Sequence, residues 1–213
     1  MLTLPNVQLL IASCVNAEAG VRALRYSMRG IQFGKVTLLS PYKPTNLIEG
    51  IEYIKIDPQT PDSMNSFALK EMPKHYNLDY VLSIHDDGFV LNPENWKSDF
   101  LNYDFIGAPW PSLPWNKTNR VGNMGFFLKS KKFAQMELDL QYICGPNDWL
   151  VTNYYYYQFT QAGIKYAPIS VAAQFSLELP IPEVPHDLSK TFGFHGKHTE
   201  EAKEKCKLID QYE

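Results

Sequence analysis

Residues 80–88 read Tyr-Val-Leu-Ser-Ile-His-Asp-Asp-Gly. The run Tyr80–Ile84 is short, apolar and bounded by a turn signal, which predicts a strand buried on both faces. Asp86 and Asp87 follow at the carboxyl end of that strand, where open α/β sheets bind ligands. Their oxygens suit Mg²⁺ or Mn²⁺, and such an ion in turn holds a diphosphate. Alternatively, Asp-Asp-Gly is a plain turn, because Asp bonds its own backbone and Gly supplies positive φ.

The segments around this strand predict the fold class. Further strands are predicted at Val7–Ser13, Lys35–Leu39 and Ile51–Ile56, with helices at Glu18–Arg29, which Gly30 ends, and at Ser63–Met72. This alternation indicates βαβ units and a mainly parallel central sheet with helices on both faces. The second half is less regular: a strand at Val121–Leu128, a helix at Asp148–Ala162, short strands at Tyr166–Pro168 and Ala173–Leu177, and a terminal helix at Glu200–Tyr212.

Composition excludes several classes of protein. A net charge of −3 gives no electrostatic reason to expect a nucleic-acid partner, whose footprint would be a basic face. No apolar run approaches the ~20 residues that a membrane span requires. The three cysteines form no CxxC pair, which favours free thiols in a reducing compartment. With no basic region near the first residue, we expect a cytoplasmic protein of one domain over residues 1–213.

Five motifs carry a resemblance to a known family. They are Ile-His-Asp-Asp-Gly-Phe-Val-Leu-Asn-Pro (84–93), Phe-Leu-Asn-Tyr-Asp-Phe-Ile-Gly-Ala-Pro-Trp (100–110), Val-Gly-Asn-Met-Gly-Phe-Phe-Leu-Lys-Ser (121–130), Pro-Asn-Asp (146–148) and Phe-Gly-Phe-His-Gly (192–196). In that order they resemble the small GT-A glycosyltransferases of the DUF5672 type. The compact size also resembles a short GT-A glycosyltransferase domain from a large chlorella virus, which would place the protein in the host cytoplasm.

The resemblance implies a single Rossmann-like GT-A domain and an activity. Residues from about 1 to 105 would bind a nucleotide sugar, and residues from about 106 to 213 would bind the acceptor. The implied reaction moves a hexose or deoxyhexose, such as glucose or rhamnose, from a UDP-sugar to a hydroxyl of a glycan or glycoprotein. Mn²⁺ or Mg²⁺ would assist. Asp148 would be the general base of an inverting displacement, although Pro146-Asn147-Asp148 is also a good helix start.

The resemblance also assigns the metal and donor residues. Asp87 is the acidic residue of the DxD-like motif, and His195 completes the metal shell. His85 is expected to pack under the site rather than to bind the metal. Asp86, Gly88 and Lys197 would contact the donor: Asp86 at the ribose or, through water, at the metal, and Lys197 as a point charge on phosphate. Ala12, Ser13 and Ser40 are small residues at the ends of the first strands, where they would leave room for the nucleotide. A solvated loop around His195 is the alternative.

Three residues are expected at the sugar or acceptor. Gly122 and Asn123 resemble a glycine-rich loop of the family, in which glycine allows close backbone approach and Asn offers a donor and an acceptor. Trp110 would form an aromatic platform for a saccharide. A tight turn and core packing are the respective alternatives.

Two other functions stay open at this point. One is a nucleotide-sugar binding module that lacks catalysis. The other is a metal-dependent hydrolase of nucleotide sugars or phosphoesters, which normally needs a fuller set of carboxylates for two metals. A dehydrogenase is disfavoured, because no GxGxxG fingerprint follows the first strand.

Overall fold

A six-stranded sheet forms the centre of the computed structural model, which describes residues 1–141 and 143–212. The strands are β1 Leu2–Ala12, β2 Ile31–Ser40, β3 Glu52–Lys55, β4 Tyr80–Ile84, β5 Phe105–Ile106 and β6 Phe127–Ser130. Their spatial order is β3-β2-β1-β4-β6-β5. The first four run parallel, and β6 runs antiparallel to both of its neighbours. The predicted mainly parallel α/β sheet is therefore confirmed.

The central strands β1 and β4 end side by side. Ile11 of β1 pairs with Ile84 of β4, and both side chains are buried. The residues that follow the two strands must therefore meet at one edge of the sheet. The one amide side chain buried in β1, that of Gln8, is satisfied: it donates to Thr37 Oγ1 at 2.9 Å and accepts the Asn77 N–H at 2.8 Å.

Helices cover both faces of this sheet. They are α1 Ala17–Ser27, α2 Pro61–Lys70, α3 Lys131–Asp139, α4 Asn147–Trp149, α5 Tyr156–Gln161, α6 Ile169–Phe175 and α7 Glu200–Cys206. The connections through α1 and α2 step across the sheet in opposite directions, so right-handed crossovers place these helices on opposite faces. Gly30, with φ of 70°, lies just beyond α1 as predicted. None of the helices within the described residues is both long and apolar enough to span a membrane.

The predicted strand Val121–Leu128 is wrong over most of its length. Only β6 Phe127–Ser130 is a strand. The Oδ1 atom of Asn123 accepts the Gly125 N–H at 2.8 Å, a local bond that competes with a sheet ladder. The backbone here instead lies against the loop after β5, where a Cβ on Gly107 would come 2.1 Å from the Asn123 carbonyl oxygen.

The predicted helix Asp148–Ala162 is interrupted. After α4, residues Leu150–Tyr154 form a π-helical turn, and α5 begins at Tyr156. The Tyr155 N–H donates to the Leu150 carbonyl at 2.8 Å, five residues back. The Thr152 hydroxyl donates to the Asp148 carbonyl at 2.6 Å, a side-chain bond that often bends helices. Such π-turns occur frequently at functional sites.

Three smaller predictions also differ from the structure. Tyr166 forms only an isolated bridge with Phe105, and Ala173 lies in α6, which begins directly after Pro168. The strand in this region is the two-residue β7 Ser176–Leu177, which pairs in parallel with β8 Gly193–Phe194. The terminal helix ends at Cys206 and tightens to a 3₁₀ turn over Lys207–Gln211, which packs on α1.

Candidate functional site

A cavity of about 460 Å³ opens at the carboxyl ends of β1 and β4. We call it the strand-end crevice. Its walls include Ala12 at the end of β1, Ser13 just after it, Asp86 after β4, and, from the second half of the chain, Asn123, Asp148 and His195. This position follows from the register of the two central strands, and it is where open α/β sheets bind ligands.

Two histidines and one carboxylate gather at the crevice. His85, Asp87 and His195 place one ligand atom each within 4.8 Å of one another. Nδ1 of His85 lies 3.9 Å from Asp87 Oδ1, and Nε2 of His195 lies 3.7 Å from the same oxygen. Two metal–ligand bonds of about 2.1 Å reach across at most about 4.2 Å, so both separations suit one ion. We call these residues the His–Asp–His cluster.

Tight backbone packing brings the cluster together. His85 and Gly88 exchange backbone hydrogen bonds of 2.7 and 3.3 Å, so the Asp-Asp-Gly turn exists and also presents Asp87. The Gly196 N–H donates to the Asp87 carbonyl at 2.7 Å, which joins the turn to the loop after β8. A Cβ on Gly125 would lie 1.9 Å from His195 Nε2. Glycine is therefore required beneath the imidazole.

The chemistry of the cluster fits a divalent cation. Burial by itself lowers the pKa of His195, but the hydrogen bond and charge of Glu178, with the charge of Asp87, raise it overall. Desolvation and the neighbouring His195 lower the pKa of His85. The two rings stand edge to face with centroids 5.5 Å apart. An ion bound here would take neutral imidazoles and one carboxylate, so a proton on His195 would compete with the ion for that ring.

Glu178 orients His195 from behind. Its Oε1 atom lies 3.1 Å from His195 Nδ1 and 3.4 Å from His198 Nε2, and its side chain is 9% exposed. Pairing of Nδ1–H with Glu178 leaves Nε2 as the ring nitrogen that faces Asp87. Carboxylates commonly hold metal-binding histidines in this way, by fixing both tautomer and ring orientation.

A second cavity, of about 500 Å³, adjoins the strand-end crevice. We call it the aromatic cavity. It is lined by Trp110, Trp115, Asn123, Pro146, Asp148, Trp149 and Glu178. Trp110 is 6% exposed, and its indole N–H donates to Glu178 Oε2 at 3.2 Å. Glu178 therefore contacts both the His–Asp–His cluster and the wall of the aromatic cavity.

Asp148 lies in the partition between the two cavities, and both are lined by it. Its Oδ1 atom accepts the Trp149 N–H at 2.7 Å, which fixes the carboxylate at the start of α4. Burial, followed by the charge of Glu178, raises the pKa of Asp148 above its ordinary value. A carboxylate with a raised pKa in a cleft has the properties of a general base.

The sequence from residue 55 to residue 195 matches the family described as "protein of unknown function (DUF5672)". The chain belongs to the DUF5672 family. The matched segment starts at the end of β3 and finishes at His195, so it contains the whole His–Asp–His cluster together with Asp148 and Glu178. No curated protein matches the sequence.

Solved structures resemble this DUF5672 protein in fold. The glycosyltransferase GlyE of Streptococcus pneumoniae TIGR4 aligns with a TM-score of 0.50 and 12% identity, over 96% of this chain and 59% of GlyE. The apo form of GlyE aligns with a TM-score of 0.49 and 14% identity, again over 96% of this chain and 59% of GlyE. The bifunctional IspDF of Campylobacter jejuni aligns with a TM-score of 0.47 and 12% identity, over 76% of this chain and 48% of IspDF. The chain thus spans about half to three fifths of these proteins, and the likeness to GlyE shows a GT-A-like fold.

The fold brings together most of the residues predicted for the DUF5672 site. Ala12, Ser13, Asp86, Asn123, Asp148 and His195 line the strand-end crevice, and Trp110 lines the aromatic cavity. His85 joins the cluster as a third possible ligand, although packing under the site is the role predicted from the sequence. Asp86 lines the crevice without belonging to the cluster.

Four predicted residues have a different placement. Ser40 is buried and lines neither cavity; its hydroxyl oxygen accepts the Tyr42 N–H at 3.3 Å. Lys197 is exposed and also lines neither cavity. Gly88 and Gly122 make room for other side chains: a Cβ would lie 2.8 Å from His195 and 2.3 Å from the Trp110 ring, respectively.

Sequence reasoning missed Glu178 in this DUF5672 protein. The residue follows the two-residue strand β7, and its partner His195 follows β8. The parallel pair of Leu177 with Phe194 brings the two side chains together. Two-residue strands leave no periodic pattern, so the single available signal was an acidic residue in an otherwise apolar segment.

Proposed function

We propose that this protein is a metal-dependent glycosyltransferase that transfers a hexose or deoxyhexose from a UDP-sugar to a hydroxyl group of a glycan acceptor. One observation carries the proposal. Asp148 lies between a crevice that holds a possible metal site and a second cavity with aromatic walls. A transferase needs two adjacent binding spaces with a base between them, whereas a simple hydrolase needs space for one substrate and water.

The strand-end crevice is the proposed donor site. Ala12 and Ser13 are small residues at the end of β1 and leave room for a nucleoside. Asp87, His195 and His85 would hold the cation, whose positive charge neutralises a departing nucleoside diphosphate when it is bound. Two imidazoles beside one carboxylate favour Mn²⁺ over Mg²⁺, which prefers oxygen ligands. The choice of uridine rests on the family resemblance rather than on a contact.

Asp148 is the proposed general base. It would accept the proton of the acceptor hydroxyl while that oxygen attacks the anomeric carbon from the aromatic cavity. The donor diphosphate would leave on the side of the His–Asp–His cluster. Attack and departure on opposite faces of the sugar predict inversion at the anomeric carbon. The raised pKa of Asp148 makes it a stronger base than an exposed carboxylate.

Calorimetry on the native protein tests the donor site. UDP, GDP, CMP and dTDP are titrated with Mn²⁺, with Mg²⁺ and with EDTA. We expect UDP to bind with Mn²⁺, and the Asp87→Ala variant to lose this binding. Asp99→Ala removes an exposed carboxylate outside the site and should bind UDP as the native protein does. Failure of all four nucleotides to bind with either metal would refute the donor site.

Transfer itself needs a separate measurement. UDP release from a UDP-sugar is followed with and without a panel of glycans. Acceptor-stimulated turnover supports the transferase. UDP release that no glycan stimulates would indicate a hydrolase, and metal-dependent UDP binding without turnover would indicate a binding module.

A further inference from the structure

The aromatic residues of the second cavity continue past its rim. Trp110 and Trp115 stand edge to face with centroids 5.2 Å apart, and Trp149 and Tyr154 are tilted at 5.8 Å. The Trp149 indole N–H donates to the Trp115 carbonyl at 2.9 Å, which joins the two pairs. We call these four residues the aromatic track. It leads from Glu178 in the interior to solvent at Tyr154.

Core packing does not account for the outer part of this track. Trp115 is 48% exposed and Tyr154 is 55% exposed. Exposed aromatic rings gathered at a cavity mouth mark a binding surface, whereas single exposed apolar residues need no explanation. The loop that carries Trp115 is nevertheless fixed by hydrogen bonds. The Trp115 loop is held by Asn116, which is fully buried, accepts the Leu113 N–H at 2.9 Å and donates to the Pro111 carbonyl at 2.9 Å.

The polar groups that line the aromatic cavity determine which charge a bound ligand can carry. Asp148, Glu178 and Asn123 present oxygen atoms, and no lysine or arginine is among the described residues that line the cavity. The nearby Arg120 donates from Nε to the Trp110 carbonyl at 2.8 Å and pairs with Glu183. Its charge is thus already compensated. The cavity therefore suits a ligand with hydroxyl donors and disfavours an anion.

We propose that the aromatic cavity and the aromatic track bind a neutral oligosaccharide of at least three units, which is the acceptor of the proposed transfer. Apolar C–H faces of sugar rings pack on indole and phenol faces, while their hydroxyls donate to the carboxylates. The terminal unit lies in the cavity, next to Asp148. The following units lie along Trp115 and Trp149 towards Tyr154. The assignment as acceptor rests on the proposed function, whereas saccharide binding itself does not.

Titration without donor tests the proposal. Maltotetraose, cellotetraose and N-acetylchitotetraose are titrated into the native protein and followed by calorimetry and tryptophan fluorescence. Glucose serves as the short ligand, and tetragalacturonate as an anionic ligand of equal length. We expect at least one neutral tetrasaccharide to bind at least tenfold more tightly than glucose, and tetragalacturonate not to bind. If none of the three neutral tetrasaccharides binds, the proposal is overturned.

Variants locate the ligand. Trp115→Ala should weaken tetrasaccharide binding about tenfold, the loss expected from one stacking surface. Tyr154→Ala should weaken binding of the tetrasaccharide but leave the affinity for a disaccharide of the same linkage unchanged. Tyr157→Ala is the matched control, since Tyr157 is 67% exposed and its ring contacts Tyr156 rather than the track. Equal affinity in native protein and Trp115→Ala, with unchanged melting temperatures, would overturn the assignment of the site.

The two proposals fail in different ways. If UDP and Mn²⁺ do not bind but the tetrasaccharide does, the glycosyltransferase proposal fails and the saccharide site stands. If UDP and Mn²⁺ bind but no neutral tetrasaccharide does, the donor site stands and the track is not a saccharide site. Trp115→Ala should leave UDP affinity unchanged, because Trp115 does not line the strand-end crevice.

Discussion

The strand-end crevice and the aromatic cavity share a partition, yet different forces build them. Two residues of the His–Asp–His cluster come directly after β4, and backbone hydrogen bonds bring the third to them. None of the described residues that line the aromatic cavity belongs to a strand, and its rings are held by side-chain bonds such as that from Trp110 to Glu178. In the crevice, backbone hydrogen bonds fix the turn that presents Asp87, and close packing on Gly125 fixes His195. A site built on side-chain bonds depends on each partner.

Asp148→Asn should give the largest effect, because this residue belongs to both cavities. Loss of the base is expected to lower kcat by about 10² to 10⁴. UDP affinity should change little, since the amide oxygen can still accept the Trp149 N–H. The variant should also be more stable than the native protein above the pKa of Asp148, because a desolvated carboxylate is removed.

Transfer kinetics, calorimetry and thermal melts check this prediction. Asp139→Asn, an exposed carboxylate at the end of α3, is the matched control and should behave as the native protein does. Full activity in Asp148→Asn would refute its assignment as base.

Glu178→Ala should impair both regions at once, since one carboxylate pairs with His195 and with Trp110. Loss of such an orienting carboxylate typically costs about 10- to 100-fold in metal affinity. We also expect weaker tetrasaccharide binding, because the Trp110 indole N–H loses its partner. Glu178→Gln should restore the saccharide affinity more fully than the Mn²⁺ affinity, as it keeps an acceptor without the charge. Mn²⁺ and saccharide titrations of both variants decide this.

Two glycine substitutions should separate the regions. Gly125→Ala places a Cβ against His195 and is expected to abolish Mn²⁺ binding while saccharide binding persists. Gly122→Ala places a Cβ 2.3 Å from the Trp110 ring. It is expected to abolish saccharide binding while Mn²⁺ binding persists. Each should cost about 1–3 kcal/mol of folding stability, as overpacking does. If both variants lose both ligands, the two cavities form one cooperative unit and our distinction fails.

As the pH is lowered, Mn²⁺ binding in the strand-end crevice should be lost before saccharide binding in the aromatic cavity. The pKa of His195 is raised, so its proton competes with the metal at a higher pH than the proton of an ordinary histidine would. Below that pKa, Mn²⁺ affinity should fall about tenfold per pH unit, as one proton is displaced. Asp148 starts from an ordinary carboxylate value near 3.9 and is raised from there. Saccharide affinity should therefore persist at a pH where Mn²⁺ binding is lost, which parallel titrations would show.

The difference between the two regions also explains which features could be predicted from the sequence. β4 and the acidic turn after it can be read directly, because a short apolar run and a turn signal are local features. The hydrogen bond between Glu178 and His195 cannot be predicted from the sequence, since it depends on the pairing of two strands that have two residues each. The predicted strand Val121–Leu128 is wrong over most of its length because the Asn123 side chain accepts the Gly125 N–H, and no periodicity reports such a bond.

The π-turn Leu150–Tyr154 makes the site depend on the length of the chain as well as on its side chains. A π-turn accommodates one residue more than an α-helix does over the same rise. Deleting a single residue inside that turn would restore regular α-helical winding and leave Asp148 close to its present orientation relative to α5. Deleting a second residue from the segment, when no extra residue is left to remove, would rotate Asp148 by about 100° relative to α5. Among relatives of this chain, a one-residue gap at this position is therefore compatible with an intact site, whereas a two-residue gap would mark a lost or altered activity.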